Sequence, residues 1–193
     1  VELTDGVVRL RPLRRRDAAA WERLRRENHH WLSRWEATAP SLEGRRPTFA
    51  QYVRDQARAA RRGTGYSFGV EVDGELVGHV TVSSVTLGSL RGCAIGYWIG
   101  ERWAGRGYIP RAVALVTDFC FFELGLHRVE INIRPENAAS LRVVEKLGFR
   151  DEGLRERYLH IDGAWCDHRT FALTSEEVGD GLVAALARSL ERG

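Results

Sequence analysis

Arg102-Trp103-Ala104-Gly105-Arg106-Gly107-Tyr108 is the stretch on which the fold of this chain turns. It lies between an apolar strand-like run, residues 93–99, and a helical pattern opening at Pro110. The first turn of a helix has N–H groups without intrahelical partners, and the macrodipole makes that end positive. Glycines let the backbone come close to a ligand and turn several N–H groups toward one point. A pyrophosphate suits such a cradle, and Arg102, Arg106 and Arg111 add counter-charge nearby. A plain strand-to-helix turn competes with this reading, because Gly-x-Gly is common in turns. A dinucleotide fingerprint needs a third glycine where Pro110 stands, although Glu130 falls at about the right distance for a ribose-binding acid. The Gly-Lys-Ser/Thr of a kinase-type phosphate loop is absent.

Upstream of this loop, residues 66–72 and 76–85 read as strands flanking Asp73-Gly74, a favoured hairpin turn. Residues 8–11 alternate like a strand and Pro12 closes them. Asp17 is expected to cap a helix carrying Trp21 and Leu24 on one face. Residues 28–47 read as irregular and rich in His and Trp, and a second helix is expected over about 48–62, with Phe49, Tyr52 and Val53 as its apolar contacts. Downstream, a helix from Pro110 to Leu124 turns Val113, Val116, Phe119 and Cys120 inward and stops at Gly125. Val129, Ile131 and Ile133 alternate with polar residues as a strand, and a short helix follows over about 138–147. Residues 149–161, interrupted at Gly153, and 165–173 read as strands around Asp162-Gly163. Thr174-Ser175-Glu176-Glu177 is a capping-box pattern expected to open a terminal helix reaching about Leu190. The order is strand, two helices, three strands, helix, strand, helix, two strands, helix. This is a mixed α/β (α+β) protein and not a regular alternating series.

The chain has 193 residues, enough for one domain with a self-sufficient core. Its hydrophobic fraction of 44% and charged fraction of 28% exclude a wholly disordered chain. A net charge of +3 suits an anionic ligand, but the basic residues are too evenly spread to argue for nucleic acid. Lys146 is the only lysine. No apolar run reaches the roughly 20 residues of a spanning helix, and residues 1–5 carry no secretion signal, so a cytoplasmic protein without membrane contact is expected. Cys93, Cys120 and Cys166 have no zinc spacing, so no metal is expected; two read as buried small residues and one as a loop thiol.

Two blocks resemble one family. Arg102-x-x-Gly105-x-Gly107 is similar to the acetyl-CoA pyrophosphate signature of the GNAT superfamily. Gly96-Tyr97-Trp98-Ile99 with Gly105-Arg106-Gly107-Tyr108 looks like its RimJ/RimL branch, the ribosomal-protein N-terminal acetyltransferases. Asn137-Ala138-Ala139-Ser140, continued by Glu145-Lys146-Leu147-Gly148-Phe149, resembles that branch's second block. The resemblance implies a twisted, mostly antiparallel sheet of about seven strands, splayed at its middle and flanked by about four helices plus a C-terminal one. It implies an acetyltransferase domain over 1–174 with 175–193 as a helical appendage. Acetyl-CoA would be the co-substrate. Amides of Trp103, Ala104, Gly105, Arg106, Gly107 and Tyr108 would cradle its pyrophosphate, and Tyr97, Trp98 and Ile99 would pair with the pantetheine amides. An N–H near Ile99 would face the thioester oxygen. Asn137 would lie against the pantetheine arm, although an Asn before a helix is equally a preferred N-cap.

The acceptor implied is a primary amine: the N-terminal amine of a peptide or protein, or a small amine such as a polyamine or antibiotic. A catalytically silent CoA-binding module is the alternative of another class. The tyrosine that protonates the leaving sulfur in many members is replaced by Val144, and Ser140 would stand in for it. A glutamate base of many relatives is replaced by Ala94, which leaves His79, Glu130, His160, Asp167 and His168 unranked as bases. Residues 28–47 and the hairpin 158–168 would form the acceptor groove, with Trp31, Trp35 and Trp165 as lining residues or as ordinary loop packing. The acyl chain length and the oligomeric state, a homodimer included, stay open.

Overall fold

Asp73 and Gly74 take φ of 51° and 78°, paired left-handed conformations whose twist matches two antiparallel strands. The computed structural model, which describes residues 1–38 and 47–191, builds its sheet outward from this turn. The turn joins β3 (Tyr66–Val72) to β4 (Glu75–Thr86), and β4 pairs with β5 (Gly92–Ile99). On the other side β3 pairs with β2 (Arg9–Arg11), and β2 with the two-residue β1 (Leu3–Thr4). Beyond β5 lie β6 (Arg128–Ile133), β8 (Ala164–Thr174) and β7 (Arg150–Ile161). The order is β1-β2-β3-β4-β5-β6-β8-β7, antiparallel throughout except between β5 and β6.

Helices cover both faces. α1 (Ala18–Glu27), the short α2 (His29–Leu32) and α3 (Phe49–Arg62) precede β3. α4 (Tyr108–Asp118) follows β5, α5 (Ala138–Lys146) follows β6, and α6 (Leu182–Glu191) follows β8. Successive strand residues point to opposite faces, so each face collects its own partners. Trp21 of α1 packs edge-on against His79 and Trp98 on one face. Phe119, at the end of α4, packs edge-on against Tyr66 and Phe68 on the other. Val80, Val113, Val116 and Val129 are fully buried between the layers.

The expected element order and mixed sheet are observed, with two additions. Leu3–Thr4 adds an eighth strand, because the Asp5 carboxylate accepts from the Val7 and Val8 N–H groups and turns the chain back on itself. His29–Leu32 forms a helical turn inside the segment expected to be irregular; residues 39–46 of that segment, and 192–193 of the terminal one, lie outside the described residues. α4 begins at Tyr108 rather than Pro110 and widens into a π turn over Phe119–Glu123 before Gly125.

Two caps act elsewhere than expected. Asp17 does not cap α1. Its carboxylate accepts from the Arg14 N–H at 2.7 Å and from the Arg11 guanidinium at 2.7 and 3.0 Å. Arg11 also binds Glu71 at 2.8 Å, and all three side chains are buried. The Thr174–Glu177 box forms, but it closes only the single turn Ser175–Glu177. The first amides of α6, on Leu182 and Val183, donate to the Asp118 carboxylate at 2.7 and 3.0 Å, so α4 caps α6 across 64 residues of sequence. Asp118→Ala is therefore expected to cost about 1–2 kcal/mol, the usual loss of a helix cap, in denaturant unfolding. Removing the local box by Thr174→Ala should leave α6 in place by circular dichroism.

Candidate active site

The ladder between β5 and β6 extends only over Gly92–Ala94 against Arg128–Glu130. Beyond Ala94 the strands separate, and among the described residues β5 has no sheet partner on that edge from Ile95 to Ile99. Which main-chain groups face the gap follows from the register. Gly78 pairs with Ile99, and the Gly100 N–H donates to the Val77 carbonyl at 2.9 Å. Ile99 is thus a non-hydrogen-bonded position toward β4, and alternation puts the N–H and C=O of Tyr97 and Ile99 on the open side. Those of Trp98 are committed to β4. The Ile99 carbonyl accepts from the Trp31 indole at 3.1 Å, which leaves its N–H open to the gap.

A cleft of about 1450 Å³ passes through this split. The β5 side chains sort onto its two sides. Trp98 meets Trp21 on the α1 face, whereas the Tyr97 hydroxyl donates to the Ser140 carbonyl of α5 at 3.3 Å on the other. Burial pushes the Tyr97 phenol above its usual range, so it stays protonated.

On the α5 side, the glycine loop offers a narrower set of amides than the sequence suggests. Trp103 and Ala104 donate to the Gly100 and Glu101 carbonyls, closing the turn Glu101–Trp103, so neither amide is free for a ligand. The N–H groups of Gly105, Arg106, Gly107, Tyr108 and Ile109 have no such partner among the described residues. Gly107 is the residue before α4 and has φ 81°; Gly105 has φ 75°, and a Cβ at either would meet no atom within 4 Å. Only glycine takes this left-handed backbone without strain. Arg106 is exposed and has no ion pair among the described residues, whereas Arg111 is held by Asp5 at 2.6 Å and Arg102 stacks on Trp103 and reaches Glu75 at 3.4 Å. Of the three expected arginines, none lines the cleft itself, and Arg106 is the one without an ion pair among the described residues.

Asn137 caps α5: its Oδ1 accepts from the Ser140 N–H at 3.1 Å. Its Nδ2 has no partner among the described residues, and Asn137 and Ser140 both line the cleft. The five expected bases separate sharply. His79 lines the cleft; the other four do not. Glu130 is engaged by Arg128 at 2.8 Å and Arg155 at 3.5 Å. His160 bonds Thr38 Oγ1 at 2.7 Å, Asp167 accepts from the Arg157 N–H, and the buried His168 bonds the Cys166 carbonyl. Burial among Trp21, Tyr52 and Trp98, helped by the Arg25 charge, pushes the His79 imidazole down to about 3.

Trp31 and Trp35 line the cleft, but Trp165 stands at the hairpin tip against His160, 56% exposed. None of residues 158–168 lines the cleft. The hairpin instead ties down the segment that does: Ala37 bridges Ile161, and the Thr38 N–H donates to the His160 carbonyl at 2.8 Å. Several residues that build this side carry no signal in the local pattern. Buried Asn28 accepts from the Glu101 N–H at 2.8 Å and donates to the Leu24 carbonyl, fixing α1 to the end of β5. His30 meets Glu101 at 2.8 Å on the cleft wall, and Arg25 lies over Trp98. These pairs are about 70 residues apart in sequence, and no local pattern records them.

The family model described as "Acetyltransferase (GNAT) domain" matches residues 8–150. A probable N-acetyltransferase of Bacillus subtilis, YjcK, is 32% identical over 181 residues, covering 91% of this chain and 98% of its own length. The [Ribosomal protein uS5]-alanine N-acetyltransferase of Escherichia coli is 30% identical over 159 residues, covering 81% and 75%. The solved structure of Mycobacterium smegmatis RimJ in complex with CoA-disulfide superposes with a TM-score of 0.89 at 40% identity, covering 98% of this chain and 93% of that one.

Proposed function

Since this chain belongs to the GNAT acetyltransferase family and is an acetyl-CoA-dependent N-acetyltransferase, we propose that its acceptor is the N-terminal α-amine of a protein or peptide. The observation that carries this is the open cleft running through the β5–β6 split, whose α1 side is lined by Trp21, Trp31 and Trp35 and lies apart from the groups assigned to acetyl-CoA below. Such a slot takes an extended chain end. The name of the uS5-alanine relative supports the same class of acceptor.

The co-substrate supplies an activated acetyl thioester. The five open amides from Gly105 to Ile109, with Arg106, would hold its diphosphate at the positive end of α4. The open N–H and C=O of Tyr97 would pair with the pantetheine amides as an added strand, and the Asn137 Nδ2 would steady that arm. The Ile99 N–H would stabilise negative charge as it develops on the acetyl oxygen. Ser140 would deliver the proton to the departing sulfur. An α-amine of pKa ~8 is partly neutral at pH 7, so holding the reactants together supplies much of the acceleration. Among the described residues no helix is long and apolar enough to cross a membrane. The buried Cys93 and Cys120 sulfurs, 3.7 Å apart, are free thiols rather than a disulfide and fit a reducing compartment, so we place the enzyme in the cytoplasm.

A CoA-release assay against N-terminal peptides and small amines tests the reading. Turnover confined to peptides with a free α-amine is expected, and turnover confined to polyamines would reject it. Ser140→Ala should lower kcat by about 100-fold or more, the scale of a lost general acid, with the KM for acetyl-CoA unchanged.

A further inference from the structure

Arginines that lie far apart in the sequence are gathered by the fold onto one outer face. On α3, Arg54, Arg58, Arg61 and Arg62 are exposed. At 3.6 residues per turn they fall within an arc of about 100°, along about 12 Å of helix. Phe49, Tyr52 and Val53 point away from that arc and pack into the fold. The turn Arg15–Asp17 lies against α3 and adds exposed Arg15 and Arg16. Against these six arginines the exposed acid on the two elements is Asp55, which leaves a net +5. The whole chain is +3, so everything outside this face is net negative. α1, alongside, adds exposed Arg23 and Arg26 but also exposed Glu22 and Glu27, and so changes nothing. Asp17 is buried and paired with Arg11. Among the described residues, Arg58 alone of the six has an ion pair, with Asp55 at 3.2 Å. The even spread of basic residues along the sequence does not survive folding.

The row does not serve the helix itself. Arg54 and Arg58, and Arg58 and Arg62, stand four residues apart, a spacing at which like charges weaken a helix. Nor does the face have the make-up of a protein or membrane contact. Those need apolar or aromatic anchors, and no large hydrophobic side chain of α3 or the Arg15–Asp17 turn is exposed. What is left is a flat set of guanidiniums, each able to hold a phosphate through two N–H bonds. α3 also lies flush on the fold, so it is not free to enter the major groove of B-form DNA, which admits a whole helix. A-form RNA has a wide, shallow minor groove that displays its 2′-hydroxyls, and a flat arginine face can lie across it from backbone to backbone. We propose that α3 and the Arg15–Asp17 turn form a docking surface for double-helical RNA, held through its phosphates and not its bases. Trp21 and Tyr52, on the inner side of α1 and α3, line the cleft, so RNA held here lies beside the acceptor side of the active site. Binding at this face is independent of which amine the enzyme acetylates.

Fluorescence anisotropy with a labelled RNA duplex of about 16 base pairs, titrated with the whole protein at several salt concentrations, tests the surface. Neutralising about five phosphates should make the affinity fall roughly 500-fold between about 50 and 200 mM salt, a log–log slope of about −4.5. Arg54→Gln, Arg58→Gln, Arg61→Gln and Arg62→Gln together should weaken binding near 50 mM salt by at least about 100-fold and flatten the slope to about −1. Lysine at the same four positions keeps the charge and should keep the slope. Arg15→Gln with Arg16→Gln, on the second element, should lower the slope by about 2, and Arg188→Gln, on α6, should change nothing. The glutamine variants should melt no lower than the wild type, because like-charge pairs have been removed, and should acetylate a short peptide as before. No RNA binding near 50 mM salt would overturn the surface while acetyl transfer stands. So would undiminished binding by the four-glutamine variant, or B-form DNA, polyglutamate or anionic vesicles bound as tightly as RNA. Wild-type protein that binds RNA but acetylates no peptide would reject the acceptor reading and leave this surface in place.

Discussion

Gly107→Glu is expected to cut the affinity for acetyl-CoA by at least about 100-fold while the protein stays folded. The substituted position precedes α4, has φ 81°, and faces open space. A non-glycine side chain there costs about 1–2 kcal/mol of backbone strain, which a domain of this size tolerates. The carboxylate is a different matter. It would stand among the open amides of Gly105 to Ile109, where a diphosphate must come. Two unit charges about 4 Å apart near a protein surface repel by roughly 4 kcal/mol. It would also take the positive end of α4 for itself. Gly107→Ala carries the strain without the charge and should lose less than about tenfold. Calorimetric titration of both variants separates the two causes. Undiminished affinity in the glutamate variant would mean that the diphosphate binds elsewhere.

Arg11→Met is expected to cost about 3–5 kcal/mol, the usual result of leaving buried charge without its partner. Arg11, Asp17 and Glu71 are 6%, 8% and 8% exposed, and Arg11 bridges the two carboxylates. Glu71 keeps a second contact, to the exposed Arg9 at 3.3 Å, so Asp17 bears most of the loss. The pH dependence has a definite sign. Burial alone would raise the Asp17 carboxyl, but the Arg11 guanidinium and the Arg14 N–H overcome it and hold it below its usual range. A carboxylate depressed in the folded state stabilises above its unfolded pKa of ~4 and loses that contribution as pH falls through the folded value. In the variant, burial is opposed by the Arg14 N–H and the Arg16 charge without the Arg11 guanidinium, so the balance moves toward the protonated acid. The stability gap between the two proteins should therefore be widest near pH 7 and narrow below about pH 4. Urea midpoints at several pH values measure it, and a gap independent of pH would mean that the methionine acts through packing alone.

Local patterns carried far in this chain. Period-two alternation marked Val129, Ile131 and Ile133, and Asp73-Gly74 marked a hairpin, because strand faces and turn conformations are properties of adjacent residues. The glycine loop was legible for the same reason: strand, turn and helix start are contiguous. What failed were statements about partners. Asp17 has the chemistry of an N-cap and sits where one belongs, yet Arg11 and the Arg14 N–H take its oxygens. The capping box at Thr174 forms, yet α6 is capped by Asp118. Of five candidate bases, four sit in ion pairs or hydrogen bonds away from the cleft, because a carboxylate or imidazole in a strand looks alike whichever neighbour it meets. Trp103 and Ala104 lose their amides to a turn of three residues that the Gly-x-Gly spacing does not announce.

The sequence by itself determined the element order, the sheet class, the glycine turn before α4 and, through two ordered motif blocks, the acetyltransferase family. These follow from the conformational preferences and periodicity of neighbouring residues. Only the tertiary structure decided which edge of β5 is open, which amides remain free, and that Arg25 faces Trp98 beside a buried, uncharged His79. Those depend on contacts between segments tens of residues apart, where strand register, burial and competition for hydrogen-bond partners fix the outcome.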